Sequence, residues 1–289
     1  MRGGLGVTIP RVVPKILRRV VPKEVRIRLR RSATVRGIAA LLLKGTAHQP
    51  LPESRFEVYY DAYRNVGLGA DLDGFEVEER RMVRKLLTQE RPKVIWDVGA
   101  NIGVWSLFLT SLCGDDAEIR CFEPEPDNLK ILQLNMTSNQ IANWIIRPVA
   151  LSNREGAAEF FTDPVCGSTG TLMDGRDFIG EYYGARRGKI QVRLTTVDHE
   201  VAGGARPPQF IKIDVEGHEL AVLEGARKTL REHRPLLIFE ATENQAEIGA
   251  FFKELDYQLL DLEGKPLDAP LFNTIAAPRE RGLACRSAS

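Results

Sequence analysis

Four acids in this sequence each close a short apolar run. Asp97 follows Val94-Ile95-Trp96, Glu123 follows Cys121-Phe122, Asp214 follows Ile211-Lys212-Ile213, and Glu240 follows Leu236-Leu237-Ile238-Phe239. A carboxylate at the end of an apolar strand needs a polar partner, so these four positions are where chemistry is expected. Asp97 opens a small-residue loop, Val98-Gly99-Ala100-Asn101-Ile102-Gly103, which leads into a helical run. Gly99 and Gly103 permit tight turns and close approach of a ligand to the backbone. Their spacing is G-x-x-x-G rather than the G-x-G-x-x-G that seats a pyrophosphate on a helix N-terminus. An acid in front of the loop repels a diphosphate and suits an ammonium group. Glu123 comes 20 residues after Gly103 and can accept the hydroxyl protons of a ribose. An ammonium site one strand away from a ribose site matches S-adenosylmethionine better than NAD.

A second group, Lys212-Ile213-Asp214-Val215-Glu216-Gly217-His218, could serve an acceptor. Period-two alternation puts Lys212 on the same side as Asp214. Methyl transfer is an in-line displacement in which alignment counts most. An alcohol acceptor also gains from a group that takes its proton. His218 is the base by intrinsic pKa, with a surface or capping residue as its alternative. Asp214 reads as a ligand or substrate contact, or as the ion-pair partner of Lys212. Glu216 either approaches the acceptor or binds amides at a helix N-terminus. Glu216 and Glu240 could also offer carboxylates to a divalent cation, although the sequence establishes no metal.

The elements that would carry these residues alternate between strand and helix. Strands are expected at 93–98, 118–122, 144–151, 209–215 and 236–240, and helices at 76–87, 103–112, 126–137, 219–232 and 245–255. Two runs at 157–162 and 189–194 look like extra strands around a Gly-rich insertion at 163–188 that contains Tyr182-Tyr183 and suits a lid. Strands at 257–262 and 271–275, joined at Glu263-Gly264, are expected to form an edge hairpin. Alternation of this kind describes an α/β fold with a mostly parallel sheet covered on both faces. Its ligand crevice lies at the carboxyl ends of the strands.

With these blocks in place, the sequence resembles a known family. Asp97-Val98-Gly99-Ala100-Asn101-Ile102-Gly103, Phe122-Glu123-Pro124, Val149-Ala150-Leu151-Ser152 before Gly156, Ile211-Lys212-Ile213-Asp214-Val215-Glu216-Gly217-His218-Glu219 and Leu223-Glu224-Gly225-Ala226 are similar to the FkbM family of S-adenosylmethionine-dependent methyltransferases. The resemblance covers about 75–275, and its last block is the most specific. It implies a class I methyltransferase (Rossmann-like) fold with a seven-stranded sheet and an antiparallel last strand. It also implies O-methylation of hydroxyls on sugars, glycans or secondary metabolites. By the same resemblance the loop of Asp97, Gly99, Ala100, Asn101 and Gly103 contacts the methionine part of the cofactor, with Asp214 facing it. Glu123 contacts the ribose, and the neighbourhood of Ala150 the adenine. The family does not fix an acceptor.

The chain has 289 residues, 43% hydrophobic and 27% charged, which excludes collagen, coiled coil and wholesale disorder. No run is long enough to cross a bilayer as a helix. The formal charge of +1 hides an asymmetry, since residues 1–44 hold 12 Lys/Arg and only Glu24 as an acid. Three parts are expected: a basic arm at 1–50, a helical lead-in at 51–92 and the methyltransferase domain at 93–289. Residues 11–21 have the pattern of a short basic amphipathic helix, interrupted by prolines, that suits peripheral contact with an anionic membrane. A solvated arm is the alternative. Cys113, Cys121, Cys166 and Cys285 have neither metal nor disulfide spacing, so a reducing cytoplasm is the expected setting. Lys212, Asp214 and Glu240 also supply three parts of a ribose 2′-O-methyltransferase tetrad, but no second lysine fits and the body of the chain is acidic, so RNA is disfavoured. A non-catalytic surface module is opposed by the complete set of acids and glycines.

Overall fold

An uninterrupted run of buried apolar residues, Val94-Ile95-Trp96, makes the centre of this molecule, because only a strand covered on both faces can hold three such side chains in succession. In the computed structural model, which describes residues 31–174 and 177–282, that run belongs to an eight-stranded sheet. The described chain begins with α1 (Ala33–Leu42), followed by a hairpin of β1 (Thr46–Pro50) and β2 (Glu57–Asp61). After it come α2 (Val66–Ala70), α3 (Val77–Glu90), β3 (Val94–Val98), α4 (Val104–Cys113), β4 (Glu118–Phe122), α5 (Pro126–Ser138) and β5 (Trp144–Arg147). A second small sheet holds β6 (Ala150–Leu151), β7 (Gly156–Thr162) and, after α6 (Phe178–Tyr183), β8 (Gly188–Thr195). The main sheet resumes through α7 (Val197–Ala202), β9 (Phe210–Ile213), α8 (Glu219–Glu224), α9 (Arg227–His233), β10 (Leu236–Glu240), α10 (Gln245–Glu254), β11 (Tyr257–Leu260), β12 (Pro266–Leu267) and β13 (Asn273–Pro278).

Strand order in the main sheet is β12-β11-β13-β10-β9-β3-β4-β5. Strands β5, β4, β3, β9 and β10 run parallel, and β13 is antiparallel to β10. The chain winds outward from β3 to β5 and then crosses to β9 on the other side of β3. That reversal opens a crevice at the carboxyl ends of β3 and β9, where a ligand can lie between diverging connections. The seven strands with a reversed last one are those the resemblance implies, and two-residue β12 is an eighth.

Several boundaries differ from the sequence reading for physical reasons. The expected third strand is divided at Pro148, which has no N–H to give to a ladder; β5 stays in the main sheet while β6 joins β8. The expected helix at 219–232 breaks at Gly225, where a Cβ would stand 2.0 Å from the carbonyl oxygen of Ser152. Glu263-Gly264 joins β11 to β12 instead of β13. Strand β13 is no edge: it inserts between β10 and β11, and Ile275, Ala276 and Ala277 are fully buried there. The lead-in, expected to be helical, contains β2, and the β1-β2 hairpin is fastened to α5 by the buried Asn135. Its side-chain amide accepts from Tyr59 N at 2.7 Å and donates to Tyr59 O and Ile102 O at 2.9 and 2.7 Å.

The amphipathic run at 11–21 and Cys285 lie outside the described residues. Cys113, Cys121 and Cys166 are free thiols. Burial raises the pKa of all three, that of Cys166 to about 11, which fits small hydrophobes without thiolate chemistry. No helix among the described residues is long and apolar enough to cross a membrane.

Candidate active site

At the switch point the loop after β3 lies against the residues that follow β9. Asp214 N donates to Val98 O at 3.0 Å, and Gly99, at φ +79°, brings its Cα to the carbonyl of Asp214, where a Cβ would come within 1.8 Å. Only glycine allows that approach. Two connected spaces open above this junction. A slot toward β4 and β6 is lined by Glu123, Asn128, Val149, Ala150, Leu151 and His218, among others. A cavity of about 690 Å³ on the other side is lined by Arg64, Glu76, Trp105, Lys212, Glu240 and Phe272, among others. Gly99, Asn101, Ser168, Asp214 and Glu216 line both spaces, so a group passing from one to the other must pass these residues.

The slot suits a nucleoside in its chemistry. Val149, Ala150 and Leu151 form an apolar wall beside Phe160 and Leu172. Glu123, 4% exposed, is held by Asn101 N on Oε2 and Glu125 N on Oε1, each at 2.8 Å. A carboxylate has about four acceptor directions, so it retains room for a ribose hydroxyl. Burial pushes its pKa up to about 7 against these amide bonds. Replacing Glu123 by alanine is expected to weaken S-adenosylhomocysteine binding roughly tenfold or more, the usual worth of a charged hydrogen bond, as calorimetry would show. An unchanged dissociation constant would refute the ribose role.

The insertion lies across this slot. Gly167 O accepts from Asn101 Nδ2 at 2.8 Å and from Asn128 Nδ2 at 3.3 Å. The segment is wound around Asp163, whose carboxylate accepts from Val165 N, Cys166 N and Thr169 Oγ1 at 2.9, 2.8 and 3.0 Å. Only about 70 Å³ is left open beneath it, well below the roughly 300 Å³ at which small-molecule sites begin. Residues 163–174 of the insertion thus cover the slot.

Not every residue expected to touch the cofactor does line these spaces. Asp97 is fully buried beneath the loop and lines neither. Ser106 Oγ donates to its Oδ2 at 2.5 Å, and Oδ1 has no hydrogen-bond partner among the described residues. Burial raises its pKa, opposed by the charge of Lys212 beside it and by the Ser106 bond. Its carboxylate thus stands behind the lining of both spaces. Gly103 also lines neither space; a Cβ there would meet Leu132 Cδ1 at 2.5 Å, so its role is to let α5 close on α4. Ala100 lines the larger cavity and Ala150 the slot.

The second group separates in a similar way. Lys212 Nζ lies 2.8 Å from Asp214 Oδ2, the pairing that alternation along β9 allows. Burial alone lowers the Lys212 pKa, but Asp214, Asp97 and Glu76 outweigh it and keep the ammonium charged. His218 is placed otherwise than expected for a base. Its Nε2 is 2.9 Å from Ser152 Oγ, it lines only the slot, and burial with Arg154 lowers its pKa. It stands beside the apolar wall of the slot and does not line the larger cavity. The loop amides expected to bind Glu216 are taken by Glu219, whose Oε1 accepts from Val215 N and Gly217 N at 3.3 and 3.1 Å. Glu216 is thereby released to the junction, in a left-handed conformation at φ 54°. Such backbone strain in a non-glycine residue is typical of functional positions.

Glu76 is a site residue that motif reading did not find. It caps α3 from φ 44°, accepts from Trp105 Nε1 at 2.6 Å, and has carboxylate oxygen within 4.8 Å of Asp214 and Glu240. Expected partnership of Glu240 with Glu216 is thus replaced by a triad that Glu76 completes. Burial, the largest cause for each, raises Glu76 to about 7, Glu216 to about 8 and Glu240 to about 9 from 4.5. A carboxyl whose folded pKa is raised stabilises the fold below its unfolded value, and that contribution is lost as pH climbs through the folded value. The melting temperature of the free protein is therefore expected to fall between about pH 5 and pH 9 by some 3 °C or more, equivalent to at least about 2 kcal/mol. Glu240→Gln would flatten that slope; a steeper or unchanged slope in scanning calorimetry would contradict the assignment.

Comparison with known proteins gives the family. The methyltransferase FkbM domain model matches residues 97–264, more than half of the chain. The chain belongs to the FkbM methyltransferase family. Among relatives of this family member, the hexuronic acid methyltransferase AglP of Haloferax volcanii is 31% identical over 157 residues, 53% of this chain and 58% of that protein. The match thus spans less than two thirds of that relative. Solved structures include the methyltransferase FkbM of Methylobacillus flagellatus, with a TM-score of 0.44 at 19% identity over 65% of this chain and 44% of that one. The O-methyltransferase of Bacillus cereus in complex with SAH gives a TM-score of 0.42 at 12% identity, covering 92% and 97%. Glu76 precedes the matched segment of this FkbM protein, so its contribution to the cavity comes from the lead-in.

Proposed function

We propose that this protein is an S-adenosylmethionine-dependent O-methyltransferase acting on a hydroxyl of a sugar, glycan or related metabolite. The observation that carries the reading is the pair of spaces meeting at Gly99, Asn101, Ser168, Asp214 and Glu216: one wall set fits a nucleoside and the other leaves room for an acceptor. When bound, the cofactor supplies a methyl carbon activated by its sulfonium. Glu123 holds the ribose, the apolar residues 149–151 hold the base, and the loop 99–101 holds the amino acid end. Asp97 and Asp214 offer negative potential from below and beside it. Glu216, at the junction and without a hydrogen-bond partner for its carboxylate among the described residues, takes the proton of the acceptor hydroxyl. Lys212 fixes Asp214. A sugar acceptor is supported by the relative that acts on a hexuronic acid. RNA loses support because Lys212 and Arg64 are both paired, with Asp214 at 2.8 Å and Glu125 at 2.7 Å, leaving little to meet a phosphodiester.

Calorimetry with S-adenosylhomocysteine and with NAD tests the cofactor, and release of S-adenosylhomocysteine with hydroxylated glycosides tests the reaction. Binding of NAD alone would end the reading. In the same reading, residues 93–289 carry the transfer, 51–92 add Glu76, and the basic arm, which ends where β1 begins at Thr46, meets an anionic membrane from a reducing cytoplasm. Helix α1 in that arm buries none of its residues and exposes Ile38, Leu41 and Leu42. Deleting residues 1–44 is expected to weaken cosedimentation with anionic liposomes while S-adenosylhomocysteine still binds; equal cosedimentation would dismiss the membrane contact.

A further inference from the structure

The larger cavity gathers more carboxyl groups than its own bases can pair with. Its charged lining consists of Arg64, Asp71, Glu76, Lys212, Asp214, Glu216 and Glu240. Both cations are committed: Arg64 Nη2 donates to Glu125 Oε1 at 2.7 Å and to Asp163 O at 3.0 Å, and Lys212 pairs with Asp214 at 2.8 Å. Glu76 receives only the neutral indole N–H of Trp105, and the carboxylates of Glu216 and Glu240 have no hydrogen-bond or ion-pair partner among the described residues. Glu76, Asp214 and Glu240 nevertheless converge within 4.8 Å. Three half-buried acids held this close resist ionising together unless something positive enters.

The sheet order shows which ligand can supply that charge. Across the crevice the strand ends run β4 with Glu123, β3 with the glycine loop, β9 with Asp214 and β10 with Glu240. A nucleoside lying over β4 and β3 leaves Glu240 and Glu76 on the far side of Asp214, on the side open to an acceptor. Exposed Phe272 and half-buried Phe75 line the same cavity and give apolar surface for the carbon face of a pyranose. Resting on the sugar O-methyltransferase reading, we propose that the acceptor is an amino sugar, whose ammonium binds among Glu76, Asp214 and Glu240 while a neighbouring hydroxyl faces Glu216. The cavity selects against a uronate, because its carboxylate would be pressed against these acids without a free base to receive it.

The methyl glycosides of glucosamine, glucose and glucuronic acid separate the readings. With the full chain and S-adenosylhomocysteine bound, calorimetry is expected to show at least tenfold tighter binding of the glucosaminide than of the glucoside. With S-adenosylmethionine, kcat/KM is expected to follow the same order. Glu240→Gln and Glu76→Gln are expected to reduce the glucosaminide-to-glucoside ratio at least fivefold without change in S-adenosylhomocysteine affinity, which also shows that the variants fold. Equal binding of the amino and neutral sugars, preference for the glucuronide, or a requirement for added Mg²⁺ would overturn the proposal. A matching loss of S-adenosylhomocysteine affinity in the variants would assign these carboxylates to the cofactor and overturn it as well. Failure of all three glycosides to bind while S-adenosylhomocysteine binds would instead remove the sugar reading beneath it.

Discussion

Glu216→Gln is expected to lower kcat for methyl transfer by roughly 10²- to 10⁴-fold, the range over which a positioned proton acceptor acts, with little change in cofactor affinity. Glutamine keeps the shape but cannot take a proton. Burial and the nearby Asp214 and Glu219 push the Glu216 pKa up to about 8, so in the free protein the carboxyl is largely protonated at neutral pH. A general base works in its ionised form, and activity therefore rises with pH through this value. The positive sulfonium of bound cofactor favours the carboxylate, which places the ascending limb at or below about 8. Glu216→Gln removes the limb. If instead His218→Ala abolished the limb and Glu216→Gln kept it, the base would be the histidine despite its bond to Ser152.

Gly99→Ala is expected to be the most damaging single methyl group in the molecule's active site. The added Cβ would lie 1.8 Å from Asp214 O and 2.9 Å from Asp214 C, backbone atoms that cannot rotate away. The residue also sits at φ +79°, which costs an alanine about 1 to 2 kcal/mol by itself. Together these are expected to cost about 3 kcal/mol or more, a fall in melting temperature of about 5 °C or more. Since Asp214 would be driven from the junction, methyl transfer is expected to fall below detection even where the fold survives. Gly204 provides the control: it has φ +97° with no atom near its missing Cβ, so Gly204→Ala meets the conformational cost alone. Equal melting temperatures for the two variants would show that the close approach at Gly99 carries no weight.

Much of the architecture was readable because each layer of the fold repeats one local pattern. The apolar runs of β3, β4, β9 and β10 and the helices between them are buried on both sides of a sheet, and this burial demands the composition by which they were recognised. The same holds for Asp97, Glu123, Asp214 and Glu240, since a charged residue ending such a run contradicts its surroundings. Errors arose where a residue's role depends on a neighbour remote in sequence. Gly103 belongs to the glycine loop by sequence, but its constraint is Leu132 of α5. Glu216 and Glu219 are both acids beside a helix start, and only the turn at Gly217 decides which one reaches the amides. His218 is a base by residue type, yet its place at the start of α8 puts Nε2 2.9 Å from Ser152 Oγ.

Sequence alone determined the order of strands and helices, the glycine loop and the two carboxylates suited to a sulfonium nucleoside, because periodicity and residue type act over a few neighbouring positions. Tertiary structure alone decided that β13 enters between β10 and β11, that Asp97 lies under the floor, and that Glu76 joins Asp214 and Glu240. Those outcomes depend on which surfaces meet when the chain folds back, across tens of residues for β13 and well over a hundred for Glu76. Charge in a cavity is a property of all its walls, and the acid that completes this one stands before the first core strand.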